Sequence, residues 1–407
     1  MTEATCKVSA DELPTSCVVS IHRGGARIVD ELADEWRSLC SRSEDDQPFY
    51  RPEWIAAYLR AFAPQAKVLI VTARIDGRLC LLLPLLEEKT TLSGVPVRRL
   101  RAPVNSHPGR FDFALSPGID GDAAIKATWQ HLRDLNTWDV IEIRDTLQGS
   151  SAGRLTATAR ADEFQTVQVP ELPNAYVRLP EDPAEWKHIP HSAKLRSRLR
   201  QARRLLGEKG TLKFNRVVTA DREALDSFYQ LEASGWKGRE GSAIACRPET
   251  RQFYDEIAEC GARFGYLSLY MLKLSGQLIA AHFSLEYRRR CYSPRIAYDE
   301  KFRQFRPGHL IFAEILQDCA ARGIHGFDIT GPNDEWKMDW ATEVLAVNHH
   351  FIFNKGVMGR LAYGIRFRLR PAIRRLLFGW RATVNRVHPG NTAVHPVDRA
   401  LSKALIQ

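Results

Sequence analysis

Between Arg303 and Leu310 the chain reads Arg303-Gln-Phe-Arg-Pro-Gly-His-Leu310, so two arginines, a glycine and a histidine cluster within seven positions. Directly after them apolar residues fall at Leu310, Ile311, Ile315, Leu316, Cys319 and Ala320, the spacing of a helix with one buried face. A helix start presents free backbone N–H groups and the positive end of the helix dipole. Arg303, Arg306, Gly308 and His309 are therefore a candidate phosphate-binding loop, with the side chains as added donors. A tight turn that needs a small residue, flanked by solvated arginines, has the same local pattern.

The loop needs a scaffold, and the sequence upstream supplies one. Tyr266–Leu274 and Leu278–Tyr287 are β-rich runs around Ser275-Gly-Gln277, a hairpin pattern, and Cys291–Tyr298 reads as a third strand. Helical segments at Arg222–Trp236 and Glu249–Phe264 precede the hairpin, and a strand at Gly326–Thr330 follows the helix. The first half has the same order. Strand Cys17–His22, helix Val29–Cys40 and a helix from Pro52 to Phe62 precede a hairpin at Asp76-Gly77, with flanking strands Lys67–Ile75 and Arg78–Leu86. A strand at Val97–Arg101, a helix at Ala123–Leu135 and a buried strand at Trp138–Ile143 complete it. Gly77 aligns with Gly276 and Trp138-Asp139 with Phe327-Asp328, which predicts two copies of one α/β unit. Their join is expected near Pro170–Asn174, where two prolines sit between periodic runs. The first copy carries Asp120 and Asp122 at the corresponding helix start, which would repel a phosphate, so anion binding is assigned to the second copy.

Composition narrows the class. With 407 residues, 44% hydrophobic and 26% charged, the chain is an ordinary globular protein of two or three domains. No run reaches the ~18–20 apolar residues of a membrane span, and the acidic start lacks a secretory signal, so a cytoplasmic location is expected. The eight cysteines contain no Cys-x-x-Cys pair and the twelve histidines lack ligand spacing, which argues against a metal. The net charge of +10 is concentrated: residues 187–209 hold eight cations against one acid, and residues 355–386 hold nine cations and no acid.

The chain resembles the GNAT acyltransferases, and most closely their cellulose-biosynthesis-associated (CelD/BcsL-like) branch. The resemblance rests on Phe49-Tyr-Arg-Pro-Glu-Trp54, Gly94-Val-Pro-Val-Arg-Arg-Leu100, the basic helix around Lys194–Arg204, Tyr298-Asp299 with Arg306-Pro-Gly308, Phe327-Asp-Ile-Thr-Gly331, Glu335-Trp-Lys337 and Trp340-Ala341. It implies an α/β (α+β) fold of two GNAT-like domains in tandem, each a twisted mixed sheet flanked by helices. These are expected at 1–172, without cofactor, and at 173–355, the acyltransferase, before a basic amphipathic helical tail at 356–407. It also implies that acyl-coenzyme A lies along the third strand with its pyrophosphate at Arg303, Arg306, Gly308 and His309. The loop departs from the broader family by having a single glycine.

Acyl transfer to an amine needs a base for the amine and often an acid for the departing thiolate. Tyr298, at a strand end, is the candidate acid, or a packed aromatic. Asp328 is a candidate base or amine holder, with a cap or salt bridge as the structural reading. Lys337 would pair with Asp328 or bind substrate, and Glu286 is a weaker base candidate. The basic stretch 190–206 has Leu195, Leu199, Ala202 and Leu206 on one stripe, which suits a helix docked by its leucines with solvated arginines, or an RNA-binding face. The tail at Met358–Arg386, with Phe367, Leu376, Leu377, Phe378 and Trp380 among its bases, suits either packing on the preceding domain or peripheral contact with an anionic membrane. The resulting expectation is a metal-free acetyl- or acyl-CoA-dependent transferase acting on an amine or hydroxyl of a small molecule or envelope or exopolysaccharide precursor. Two alternatives stay open, a Fem-like aminoacyl-tRNA-dependent transferase and a non-catalytic membrane-associated scaffold.

Overall fold

The computed structural model describes residues 17–104, 109–182, 185, 189, 192–332 and 334–371. In the first half, β1 (Cys17–Gly24), α1 (Arg27–Glu31), α2 (Ala33–Arg42) and α3 (Pro52–Phe62) lead to β2 (Lys67–Ile75), β3 (Arg78–Leu92), β4 (Val95–Arg101) and the short β5 (Ala114–Leu115). Then come α4 (Gly118–Leu135), β6 (Val140–Leu147), α5 (Ser151–Ala161) and β7 (Gln165–Arg178). The helix α6 (Ala193–Gly207) lies between this and the second half, which opens with β8 (Leu212–Val217), α7 (Arg222–Ser234), α8 (Trp236–Arg239) and α9 (Pro248–Arg263). It continues through β9 (Leu267–Leu274), β10 (Gln277–Tyr287), β11 (Arg290–Tyr298), α10 (Pro307–Ala321), β12 (Gly326–Pro332), α11 (Glu335–Met338) and β13 (Glu343–Phe353). The last described α-helix, α12 (Val357–Tyr363), runs into a π-helical turn at Gly364–Leu369.

Both expected hairpins form, β2–β3 around Asp76-Gly77 and β9–β10 around Ser275-Gly276, with all four turn residues at positive φ. The single helix expected over Val29–Cys40 is instead α1 and α2, broken at Leu32, whose ψ of 0° departs from helical geometry. The stripe read in α6 is its buried face: Leu195, Leu199, Ala202 and Leu206 all lie in the core, while Ser192 caps the helix by accepting from Leu195 N.

One sheet runs through both halves in the order β1-β2-β3-β4-β6-β13-β7-β12-β11-β10-β9-β8, with β5 beside β3. The order is symmetric about its centre except that the last strand of each half lies in the other half. β13 pairs with β6, and β7 with β12, and the two exchanged strands pair with each other from Glu343↔Tyr176 to Phe353↔Gln165. The segment Pro170–Asn174, expected as the join, is thus the middle of β7, and the expected boundary at 172/173 falls inside that strand. Its prolines are accommodated because β12 meets β7 only from Asn174 onward, and the register with β13 shifts between Leu345 and Val347, opposite Leu172 and Pro173. The tail expected at 356–407 is described only to residue 371; Leu376, Leu377, Phe378 and Trp380 lie outside the described residues.

Candidate functional site

β11 and β12 run parallel for only three residue pairs, Arg290↔Gly326 to Tyr292↔Asp328. The register of β10 against β11 then shifts between Phe283 and Leu285, a bulge at Ser293-Pro294, and β11 continues to Tyr298 paired with β10 alone. A cleft of about 810 Å³ opens where the two strands part, within the size range of small-molecule sites. Tyr298, Arg303, Arg306, Gly308, His309 and Lys337 all line it. Six of the eight candidate site residues named from sequence therefore meet in one place, all but Asp328 and Glu286.

The loop at the cleft's end is held in a defined shape. Asp299 accepts from Lys301 N at 2.9 Å, residues 300–305 form a short 3-10 helix, and Arg306 stands in the left-handed region (φ 51°) immediately before Pro307 opens α10. Pro307 has no N–H, and His309 and Leu310 both donate to Arg306 O at 3.0 Å. Gly308 N–H is left without a backbone acceptor, as a donor at the helix start. Arg303 and Arg306 make no ion pair among the described residues, although most arginines around them are paired. A bare N–H, two unpaired guanidiniums and a helix dipole converge on one end of the cleft.

Trp340 fixes the histidine of this loop. Its indole Nε1–H donates to His309 Nδ1 at 2.9 Å, with the rings stacked 5.9 Å apart. Because an indole nitrogen only donates, Nδ1 is the unprotonated nitrogen, and neutral His309 carries its proton on Nε2. Burial lowers the His309 pKa, Arg306 adds to that, and Asp339 opposes it. The ring is thus a neutral Nε2–H donor near pH 7.

Asp328 is placed elsewhere. It is 1% exposed, accepts from Arg110 Nη2 at 2.8 Å and from Thr330 N at 2.9 Å, and does not line the cleft. Here it is a structural ion pair, not a group open to substrate. Lys337 does not bond to it but donates to Thr330 O at 2.7 Å; burial lowers the Lys337 pKa, against Asp334 and Asp328. Thr330 itself has φ 43°, an uncommon position for a β-branched residue, and is pinned by Asp328, Lys337 and its own Oγ1 bond to Ser293 O. With its amide oriented to satisfy both partners, Asn174 donates to Gly331 O and accepts from Arg110 Nη2. Glu286 is likewise engaged away from the cleft, by Arg216, Arg322 and the Tyr270 hydroxyl. It belongs to the one group of potential metal ligands among the described residues, with Cys291 and Cys319, and those guanidiniums compete with any cation for its carboxylate.

Four cleft residues had no signal in the sequence reading. His282 on β10 is buried, and its Nδ1 lies 3.0 Å from Ser293 Oγ. Lys237 on α8 donates to Glu232 Oε1 (2.9 Å) and to Ile296 O (2.7 Å) on the free edge of β11. Burial lowers the Lys237 pKa and Glu232 opposes the shift. A lone His282 in a hydrophobic strand reads as core, and Lys237 and Glu232 read as surface helix charges. Only the fold brings them to one wall.

Burial also depresses the His282 pKa to about 3, with Lys237 adding to the effect. The folded chain therefore holds this imidazole neutral while the unfolded chain takes up a proton below about 6.5. The stability contribution is complete above that value and is lost as pH falls toward 3. Each such histidine should steepen the loss by up to about 1.4 kcal/mol per pH unit. Urea unfolding between pH 6.5 and 4 should show this slope, reduced in His282→Gln; equal slopes in both proteins would refute it.

Residues 193–338, which span α6 to α11, match the family described as an acetyltransferase (GNAT) domain. Among solved structures, FemX is similar with a TM-score of 0.56 and 12% identity, over 82% of this chain and 98% of that one. A conserved protein of unknown function from Bacteroides thetaiotaomicron is similar with a TM-score of 0.51 and 9% identity, over 79% and 97%. No curated protein matches the sequence. These likenesses show a shared fold. The chain is an α/β protein of the GNAT fold, and the segment that builds the cleft is the part that matches the acetyltransferase (GNAT) family.

Proposed function

We propose that the chain transfers an acetyl or other acyl group from acyl-coenzyme A to an amine or hydroxyl, with the acceptor attacking the thioester directly. One observation carries this reading: the cleft between the parted strands β11 and β12 ends on the free Gly308 N–H and the unpaired Arg303 and Arg306. Those groups suit a pyrophosphate, and the His309 Nε2–H adds a neutral donor. Tyr298, whose ring lies 3.6 Å from the position a Gly308 Cβ would take, stands beside this loop as the acid for the leaving thiolate. His282, held neutral and hydrogen-bonded with Ser293, lines the same wall as a group to position the acceptor, since a pKa depressed to about 3 makes it too weak a base to take the acceptor's proton near pH 7. Lys337 and Lys237 flank the same cleft as groups to orient the acceptor or the donor's thioester carbonyl. The finer placement, in the CelD/BcsL-like branch and in envelope or exopolysaccharide synthesis, rests on the sequence motifs alone.

Calorimetric titration of acetyl-coenzyme A tests the reading. Wild type should bind saturably, and Arg306→Ala/Gly308→Glu should bind at least about 100-fold more weakly, since losing one charged hydrogen bond costs about 1.5–3 kcal/mol and the new carboxylate adds repulsion at a helix start. Gly308 has no positive φ, and its added Cβ would meet only Tyr298 at ordinary contact distance, so the variant should fold. A folded wild type that binds neither acetyl-coenzyme A nor longer acyl donors would overturn the proposal. That outcome would favour the Fem-like reading, for which the outer face of α6, with Lys194, Arg198 and Arg200, would be the place to seek salt-dependent RNA binding.

A further inference from the structure

Thirteen large apolar side chains are exposed among the described residues, and four of them fall between 357 and 369. Val357 (75%), Met358 (41%) and Leu361 (47%) lie on α12, and Leu369 (53%) ends the π-helical turn Gly364–Leu369 that follows. The opposite side of this segment is locked to the sheet. Gly359 packs so closely that a Cβ would lie 2.3 Å from Asn354 O, Tyr363 meets Phe353 at 5.5 Å, and Phe367 meets Phe351 at 5.5 Å. The outward apolar groups are therefore held in place by a docked inner face.

Charge surrounds them. Arg360, Arg368 and Arg370 are exposed, and none of the three makes an ion pair among the described residues. The sequence from 355 to 386 contains nine cations and no acid, four of them beyond residue 371. A nucleic acid would engage the arginines but leave Val357, Met358 and Leu361 against a polar surface. An ordinary apolar protein partner would cover those groups but desolvate the arginines. An anionic bilayer answers both, since its acyl boundary accepts the apolar groups while lipid phosphates meet the guanidiniums.

We propose that the outer face of α12 and the turn after it docks the protein on an anionic membrane surface, with Val357, Met358, Leu361 and Leu369 entering the headgroup boundary. No helix among the described residues is long and apolar enough to cross a membrane, so the contact lies in the surface plane. The proposal is independent of the acyl-transfer reading, because none of these residues lines the cleft.

Co-sedimentation of the full chain with vesicles of phosphatidylcholine, alone or mixed with phosphatidylglycerol, tests it. Wild type should bind the mixed vesicles and not the neutral ones. Val357→Asp/Leu361→Asp and Arg360→Glu/Arg370→Glu should each weaken that binding at least about tenfold without shifting the thermal midpoint, because apolar burial and charge act together. Absence of wild-type binding overturns the proposal, as does wild-type binding by the aspartate variant. A chain ending at residue 371 should keep measurable binding; complete loss there, with the face intact, would assign the contact to the following residues instead. Dimerisation of wild type that disappears in the aspartate variant, without vesicle binding, would make a second copy the occupant and equally refute it.

Discussion

Replacing Asp328 by alanine should destabilise the protein by about 3–5 kcal/mol, because it strands a guanidinium that has no route to water. Arg110 and Asp328 are each 1% exposed, and their 2.8 Å ion pair joins positions 218 residues apart. Without Asp328, Arg110 keeps only Gln47 Oε1 at 3.3 Å and the Asn174 amide, and its Nε already lacks a partner. Thr330 N–H loses its acceptor as well. The loss should reach the cleft, since Thr330 is held at positive φ by that bond and its carbonyl receives Lys337. The double variant Arg110→Met/Asp328→Leu removes both charges and should recover much of the stability, yet leave Thr330 without one of its three anchors and donor binding weakened. Urea unfolding reads the first effect and calorimetry the second. A cost below about 1 kcal/mol for Asp328→Ala, the scale of an exposed pair, would refute the buried-pair argument.

This pair also marks where sequence reasoning stops. Asp328 was recognisable as a polar residue on an apolar strand, but its partner Arg110 lies between β4 and β5 of the other half, and nothing local to either residue announces the other. The loop Arg303–His309 was legible because its chemistry is consecutive: backbone donors, side chains and helix start all lie within one short stretch. His282 and Ser293 became visible only when β10 and β11 paired. Trp340 was noted as a motif residue, while its role in setting the His309 tautomer needs the packing of β13's approach against α10. The elements themselves were mostly readable, since amphipathic periods and turn dipeptides act locally. The exchange of terminal strands was not, because β7 and β13 have the same composition whichever half they complete.

That exchange makes the halves interdependent. Within residues 1–180, β7 would have neither of its native partners, since its neighbours β12 and β13 both come from the second half. The same cut would expose the edge of β6, where Val140, Ile141 and Ile143 are at most 1% exposed in the intact sheet. An unpaired apolar edge of that kind favours association over folding. The second half would fare no better: β12, which walls the cleft, pairs with β7 at Arg178, Val177 and Tyr176, and the Tyr176 side chain lies directly over Gly326, where a Cβ would displace it. We therefore expect neither 1–180 nor 181–407 to fold as a monomer when produced alone, whereas co-production should yield a one-to-one complex that binds acetyl-coenzyme A if the intact chain does. Light scattering with circular dichroism distinguishes the cases. A monomeric 1–180 with a cooperative unfolding transition would show that β7 is dispensable to its own half. Failure of the co-produced halves to associate would mean that the strand exchange forms only while the connection through α6 is intact, as long-range pairing with a large loop-closure cost would require.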